Sequence, residues 1–135
     1  VALVQYSAIR TAIKEALDDI DGLSNHKEEP DAIPKVPFSI LGSGTIDYST
    51  DMGGGHDITF RLFMAVSEAT SEDSFAALDD YLASTGDKSI KAAIEAATIG
   101  NGYAAVRRVE NVGHVRYRER TFVGAEFIIA VASGG

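Results

Sequence analysis

The stretch from Val36 to Val66 constrains this chain more than any other, because two long runs of period-2 alternation flank a segment too polar to bury. On the first arm the even positions are Val36, Phe38, Ile40, Gly42, Gly44, Ile46 and Tyr48. On the second they are Ile58, Phe60, Leu62, Met64 and Val66. Alternation of this length predicts strands with one committed inner face. Between the arms lie Ser49, Thr50, Asp51, Met52, Gly53, Gly54, Gly55, His56 and Asp57, a glycine-rich polar tip with nothing to offer a core. The 13 residues from Val36 to Tyr48 span about 43 Å when extended. A globular domain of this size has a radius of gyration of about 14 Å. The expectation is a hairpin that overshoots its own domain, with a tip built to touch something else.

The flanking segments place helices around this hairpin. Ile9, Ala12, Ile13, Ala16, Leu17 and Ile20 recur at three and four residues and predict a helix over about Val4 to Ile20, with Arg10, Lys14, Glu15, Asp18 and Asp19 on the solvated side. Gly22 suits the left-handed position that ends it. A short strand is expected near Leu23 to Glu29, and Pro30, Pro34 and Pro37 then hold the chain extended, Pro37 marking an edge or strand end. After the hairpin, Thr70-Ser71-Glu72-Asp73 reads as a helix start. That helix runs to about Ala83 and buries Phe75, Leu78 and Leu82, and a second from Lys88 to Ala97 buries Ile90, Ala93, Ile94 and Ala97. Two strands close the chain, about Tyr103 to Arg118 and Thr121 to Ala132, the latter with Val123, Ala125, Phe127, Ile129 and Val131 on one face. Antiparallel strand pairs with helices between them predict a single α+β domain over residues 1–135, its mostly antiparallel sheet packed by an N-terminal helix and a central helix pair.

Charge divides this domain. Residues 1–106 hold 17 acids against 7 Lys/Arg, a balance of −10, and residues 107–135 hold 3 acids against 5 Arg, a balance of +2. Such asymmetry suits head-to-tail association of identical subunits, acidic surface against basic. It equally describes a solvated surface with chance clustering. The acidic whole is poorly suited to gripping nucleic acid. No apolar run of 18 residues is present and no basic-then-apolar leader opens the chain, so neither a membrane span nor a secretory signal is expected.

A search for chemistry finds none assembled. With no cysteine there is no thiolate, disulfide or cysteine nucleophile. Asp47, Asp51, His56 and Asp57 cluster around the hairpin tip without the spacing of a cation loop, and His114 reads as a strand-face residue. Gly42-Ser43-Gly44 opens like a dinucleotide loop, but Asp47 stands where a third glycine belongs and a strand follows, so these glycines predict a bulge instead. Gly53-Gly54-Gly55 has no Lys-Ser/Thr behind it and is no phosphate loop. No serine sits in a nucleophile elbow. The expectation is a protein that is not an enzyme and takes no cofactor or metal. Its candidate contact residues are Tyr48, Asp51, Met52, Gly53, Gly54, Gly55, His56 and Asp57 at the tip, with Arg107, Arg108, Arg116, Arg118 and Arg120 in the final strand pair.

The chain resembles the tail terminator (tail completion) proteins of long-tailed bacteriophages. The resemblance is carried by Ile9-Arg-Thr-Ala-Ile-Lys-Glu-Ala-Leu17 running into Asp-Gly-Leu23, by Pro34-Lys-Val-Pro-Phe38, and by Thr45-Ile-Asp-Tyr48. It continues in Gly53 to Asp57 leading to Phe60-Arg-Leu-Phe-Met-Ala-Val66, in Leu78-Asp-Asp-Tyr-Leu82, in Ser89-Ile-Lys-Ala-Ala-Ile-Glu-Ala96 and in Val123-Gly-Ala-Glu-Phe127. It implies a virion protein at the neck end of the tail, assembled in the host cytoplasm. Such a protein forms a ring, a hexamer in this family, that caps the tail tube and stops its polymerisation. Its implied partners are itself, the major tail tube protein and the head-tail connector or stopper protein, with genomic DNA passing through without specific binding and no membrane involved. Head-closure or connector rings of the phage neck are the alternative, and a small-molecule-binding α+β domain is a third reading.

Overall fold

In a computed structural model, residues 6–20, 22–28, 30–47, 56–67, 72–97 and 103–133 are described. The elements run α1 (Tyr6–Leu17), β1 (Ser24–His26), β2 (Phe38–Asp47), β3 (His56–Ser67), α2 (Glu72–Leu82), α3 (Ile90–Glu95), β4 (Tyr103–Tyr117) and β5 (Arg120–Ser133). The strands form one sheet in the order β1-β2-β3-β5-β4. All neighbours are antiparallel except β1 and β2, which run parallel. This is the expected α+β domain with a mostly antiparallel sheet, a long hairpin and three helices.

The core follows from which residues share a face. Ile9, Ile13 and Leu17 lie one turn apart on α1 and are buried, and Ile58, Phe60, Leu62 and Met64 meet them from β3. On β5 the odd residues Val123, Ala125, Phe127, Ile129 and Val131 join the same cluster. Gly22, with φ +81°, supplies the left-handed turn beyond α1. On α3 the Ser89 side chain accepts from Ala92 N–H at 3.0 Å, closing the helix start. The opposite sheet face holds a smaller cluster at one end: Phe38, Ile40, Ala65, Val115 and Phe122. The proline-bearing loop between β1 and β2 contributes Ile33 to it, and Phe38 meets Phe122 edge-on at 5.5 Å.

Three expectations are corrected. The even residues of the first arm do not share one face. β2 carries a register shift between Leu41 and Gly44, the bulge its glycines predict. Phe38 and Ile40 therefore belong to the smaller cluster, while Leu41 and Ile46 pack on the larger. β5 accompanies β3 to its first residue, His56 opposite Ser133, and residues 48–55 of the tip expected to overshoot lie outside the described residues. Among the described residues the longest strands are those of β4–β5, with 15 and 14 residues. Phe75 remains 37% exposed and meets the His114 ring edge-on at 5.5 Å, while Tyr81 takes the buried place on α2 beside Leu78.

Arg10 is the third correction, because it is half-buried rather than on a solvated face. Its guanidinium donates to the Gly42 carbonyl at 2.7 Å, to the Leu41 carbonyl at 2.9 Å and to the Lys27 carbonyl. A bulge takes backbone carbonyls out of ladder register, and buried carbonyls need a donor. Arg10 supplies donors from α1 and ties that helix to the irregular part of β2.

Candidate interaction surface

Of the tip residues, Tyr48, Asp51, Met52, Gly53, Gly54 and Gly55 lie outside the described residues. His56 and Asp57 open β3, Asp57 pairing with Asp47 on one side and Ala132 on the other. The arginines do not form one patch. Arg107 and Arg108 lie near the start of β4, and Arg116 lies near its end, where Tyr117 pairs with Arg120. Between Arg120 and Ala132 the 12 residue steps of β5 put about 40 Å between the basic turn and the tip end.

Most of these arginines are engaged within the chain. Arg118, in the β4–β5 turn with φ 49°, donates to the Asp31 carbonyl at 2.9 Å and to the Pro30 carbonyl, and its guanidinium lies 5.2 Å from the Tyr117 ring centre. Arg120 lies over the Phe122 ring at 5.9 Å. Arg108 Nε donates to Glu110 at 2.5 Å. These contacts hold the β1–β2 loop and the hairpin in place, a use that sequence spacing alone does not reveal.

The open sheet face carries an ion-pair lattice that the sequence reading missed. Arg61 of β3 pairs with Glu126 of β5 at 2.5 Å and with Glu110 of β4 at 3.2 Å, and Asn111 donates to Glu126 at 3.1 Å. The Arg108 hydrogen bond, then that of Arg61, holds the Glu110 carboxyl below its usual range, and Glu126 followed by Glu110 raises the Arg61 guanidinium further. Ile128 stands in register between Arg61 and Arg108 and is only 4% exposed, the burial that long arginine stems give to an apolar neighbour. Odd-position charges in β3 facing even-position charges in β5 were the available signal. Only the strand register pairs them.

The hollows are open and shallow. One of about 410 Å³ is lined by Ile33, Pro34, Lys35, Val36 and Arg120. Another of about 310 Å³ lies over Tyr103, Ala105, Ala130 and Ala132, with Asp57 and Arg107 beside it. Among the described residues no group of three His, Cys, Asp or Glu side chains is placed to hold a metal ion, and no helix is long and apolar enough to cross a membrane. Neither hollow joins a nucleophile to a base.

Exposed apolar character concentrates at one sheet edge. The large apolar side chains left exposed among the described residues are Val36, Phe75, Tyr103 and Val112. Tyr103 and Val112 belong to β4, and Phe75 leans on His114 of the same strand. β4 is the outermost strand, with no further strand beside it among the described residues. Exposed tyrosine, valine and arginine along a sheet edge have the composition of a contact surface. No family model matches the chain. No curated protein matches it either.

Proposed function

We propose that this chain is a self-assembling structural subunit of a long-tailed phage. Its role is that of a tail terminator, a ring that caps the tail tube, stops its polymerisation and joins it to the head connector. The observation that carries the assembly reading is the outward edge of β4, where Tyr103 at 68% and Val112 at 54%, the most exposed large apolar side chains among the described residues, lie on a strand with one strand neighbour among those residues. The phage setting rests on the residue resemblance. The ring's partners are further copies, the tube protein and the connector, and DNA passes through without being bound.

The test combines solution mass with reconstitution. Sedimentation of the purified protein, alone and mixed with tube protein, should give a closed multimer in at least one condition, visible as rings in the electron microscope. Removing Gly53–Gly55 should leave the circular dichroism spectrum unchanged and abolish capping of the tube. A strict monomer in every condition, tube protein included, overturns the proposal. Binding to the connector with no effect on tube length makes it a head-closure component.

A further inference from the structure

Resting on that assembly reading, we infer that β4 of one copy pairs antiparallel with the part of β2 that follows the bulge in the next copy, extending the sheet across the subunit boundary. Strand direction supplies the first argument. From β2 through β3 and β5 to β4 every step is antiparallel. A second copy in the same orientation therefore presents its β2 antiparallel to β4, and the alternation continues unbroken. The two edges differ, so the contact is head-to-tail and repeats from copy to copy.

The second argument is what covers each edge. β1 pairs only with Phe38, Ser39 and Ile40 of β2, and Arg10 engages the carbonyls of Leu41 and Gly42. Among the described elements, neither β1 nor Arg10 reaches Thr45, Ile46 and Asp47. On β4, Glu95 of α3 accepts from the Val106 N–H at 3.4 Å, and register shifts fall between Val106 and Arg108 and again between Glu110 and Gly113. Between those irregularities Arg108, Val109 and Glu110 form a regular run. A short run on one edge meets a short run on the other, which excludes the long flat pairing that leads to aggregation.

Side-chain parity fixes the register. Ile46 and Val109 both point to the helix side, and each is half-buried at its own edge of the main core. Setting Ile46 of the next copy beside Val109 lets each cover the other and puts Thr45 beside Glu110 on the open face. Charge argues against the symmetric alternative. β4 carries Arg107, Arg108, Arg116 and Glu110, a net +2, so two β4 edges repel, whereas β2 contains no basic residue.

The absence of cysteine makes the test direct. Facing residues in an antiparallel pair have Cα atoms about 4.5–5.5 Å apart, inside the range of a disulfide. Within one chain Thr45 and Glu110 are separated by β3 and β5, about 14 Å across the sheet, too far to bridge. Thr45→Cys with Glu110→Cys in the same chain, mildly oxidised at a concentration where sedimentation detects multimers, should give a ladder of covalent oligomers on a non-reducing gel. Each single variant should remain monomeric on that gel. Dimers from Glu110→Cys alone show that two β4 edges meet and overturn the pairing. A multimer in solution without a ladder overturns this contact and leaves the ring intact. Absence of any multimer overturns both. A ladder only when a different protein is present makes that protein the occupant of the edge and overturns pairing between copies.

Discussion

Replacing Gly124 with alanine tests the sheet where it has least room. Gly124 lies opposite Ala65 of β3 and Gly113 of β4, next to the register shift between Ala65 and Ser67. A Cβ built on it lies 2.0 Å from the Met64 carbonyl oxygen and 3.0 Å from the Ala65 Cα. Both are backbone atoms, so no side chain can turn aside, and β3 has to retreat by about 1 Å or more to reach ordinary contact. Overpacking of this kind costs about 1–3 kcal/mol, and two ladder hydrogen bonds lost in the retreat add about 1 kcal/mol each. The sum, about 3–5 kcal/mol, is a large part of the roughly 5–15 kcal/mol that holds a domain together. In a chain of 135 residues it lowers Tm by about 10–18 °C. Urea and thermal unfolding followed by circular dichroism provide the measurement. Gly22→Ala is the control, because Gly22 has φ +81° and nothing within 4 Å of its added Cβ, leaving only a backbone penalty of about 1–2 kcal/mol. A Gly124→Ala protein no less stable than Gly22→Ala refutes the reasoning.

Two other perturbations probe how the sheet is held. Arg10→Met keeps much of the stem but removes the donors to Leu41, Gly42 and Lys27; denaturation should show a loss of about 2–3 kcal/mol, with faster hydrogen exchange around the β2 bulge. For Glu110, whose carboxyl is held below 4.5 by Arg108 and then Arg61, the stabilising contribution is present above 4.5 and disappears as pH falls through the lowered folded value. In Arg61→Ala the Glu110 midpoint, followed by carboxyl NMR titration, should rise toward 4.5 while staying below it because Arg108 remains. A midpoint that does not move removes Arg61 from the explanation.

Much of the fold was legible because burial leaves a periodic trace. Ile58 to Met64 on β3, Val123 to Val131 on β5 and Ile9 to Leu17 on α1 carry that trace, and each stripe lies on the main core. The glycines of β2 announced a bulge, and a shift lies between Leu41 and Gly44. The same trace misled where the bulge reverses it, since one extra residue turns every later side chain to the other face. Phe75 was misplaced because its spacing on α2 says nothing of how far the helix overhangs the sheet.

The sequence by itself determined which segments are strands and helices and which faces they must bury, because periodicity is local and needs no partner. Only the tertiary structure decided what lies beside what. It set Asp57 and the basic turn at opposite ends of the sheet, brought Arg10 and Arg118 onto backbone carbonyls, joined Arg61 to Glu110 and Glu126, and left β4 at an outer edge of the sheet. Those outcomes depend on strand order and register, which arise from contacts between residues far apart in the chain.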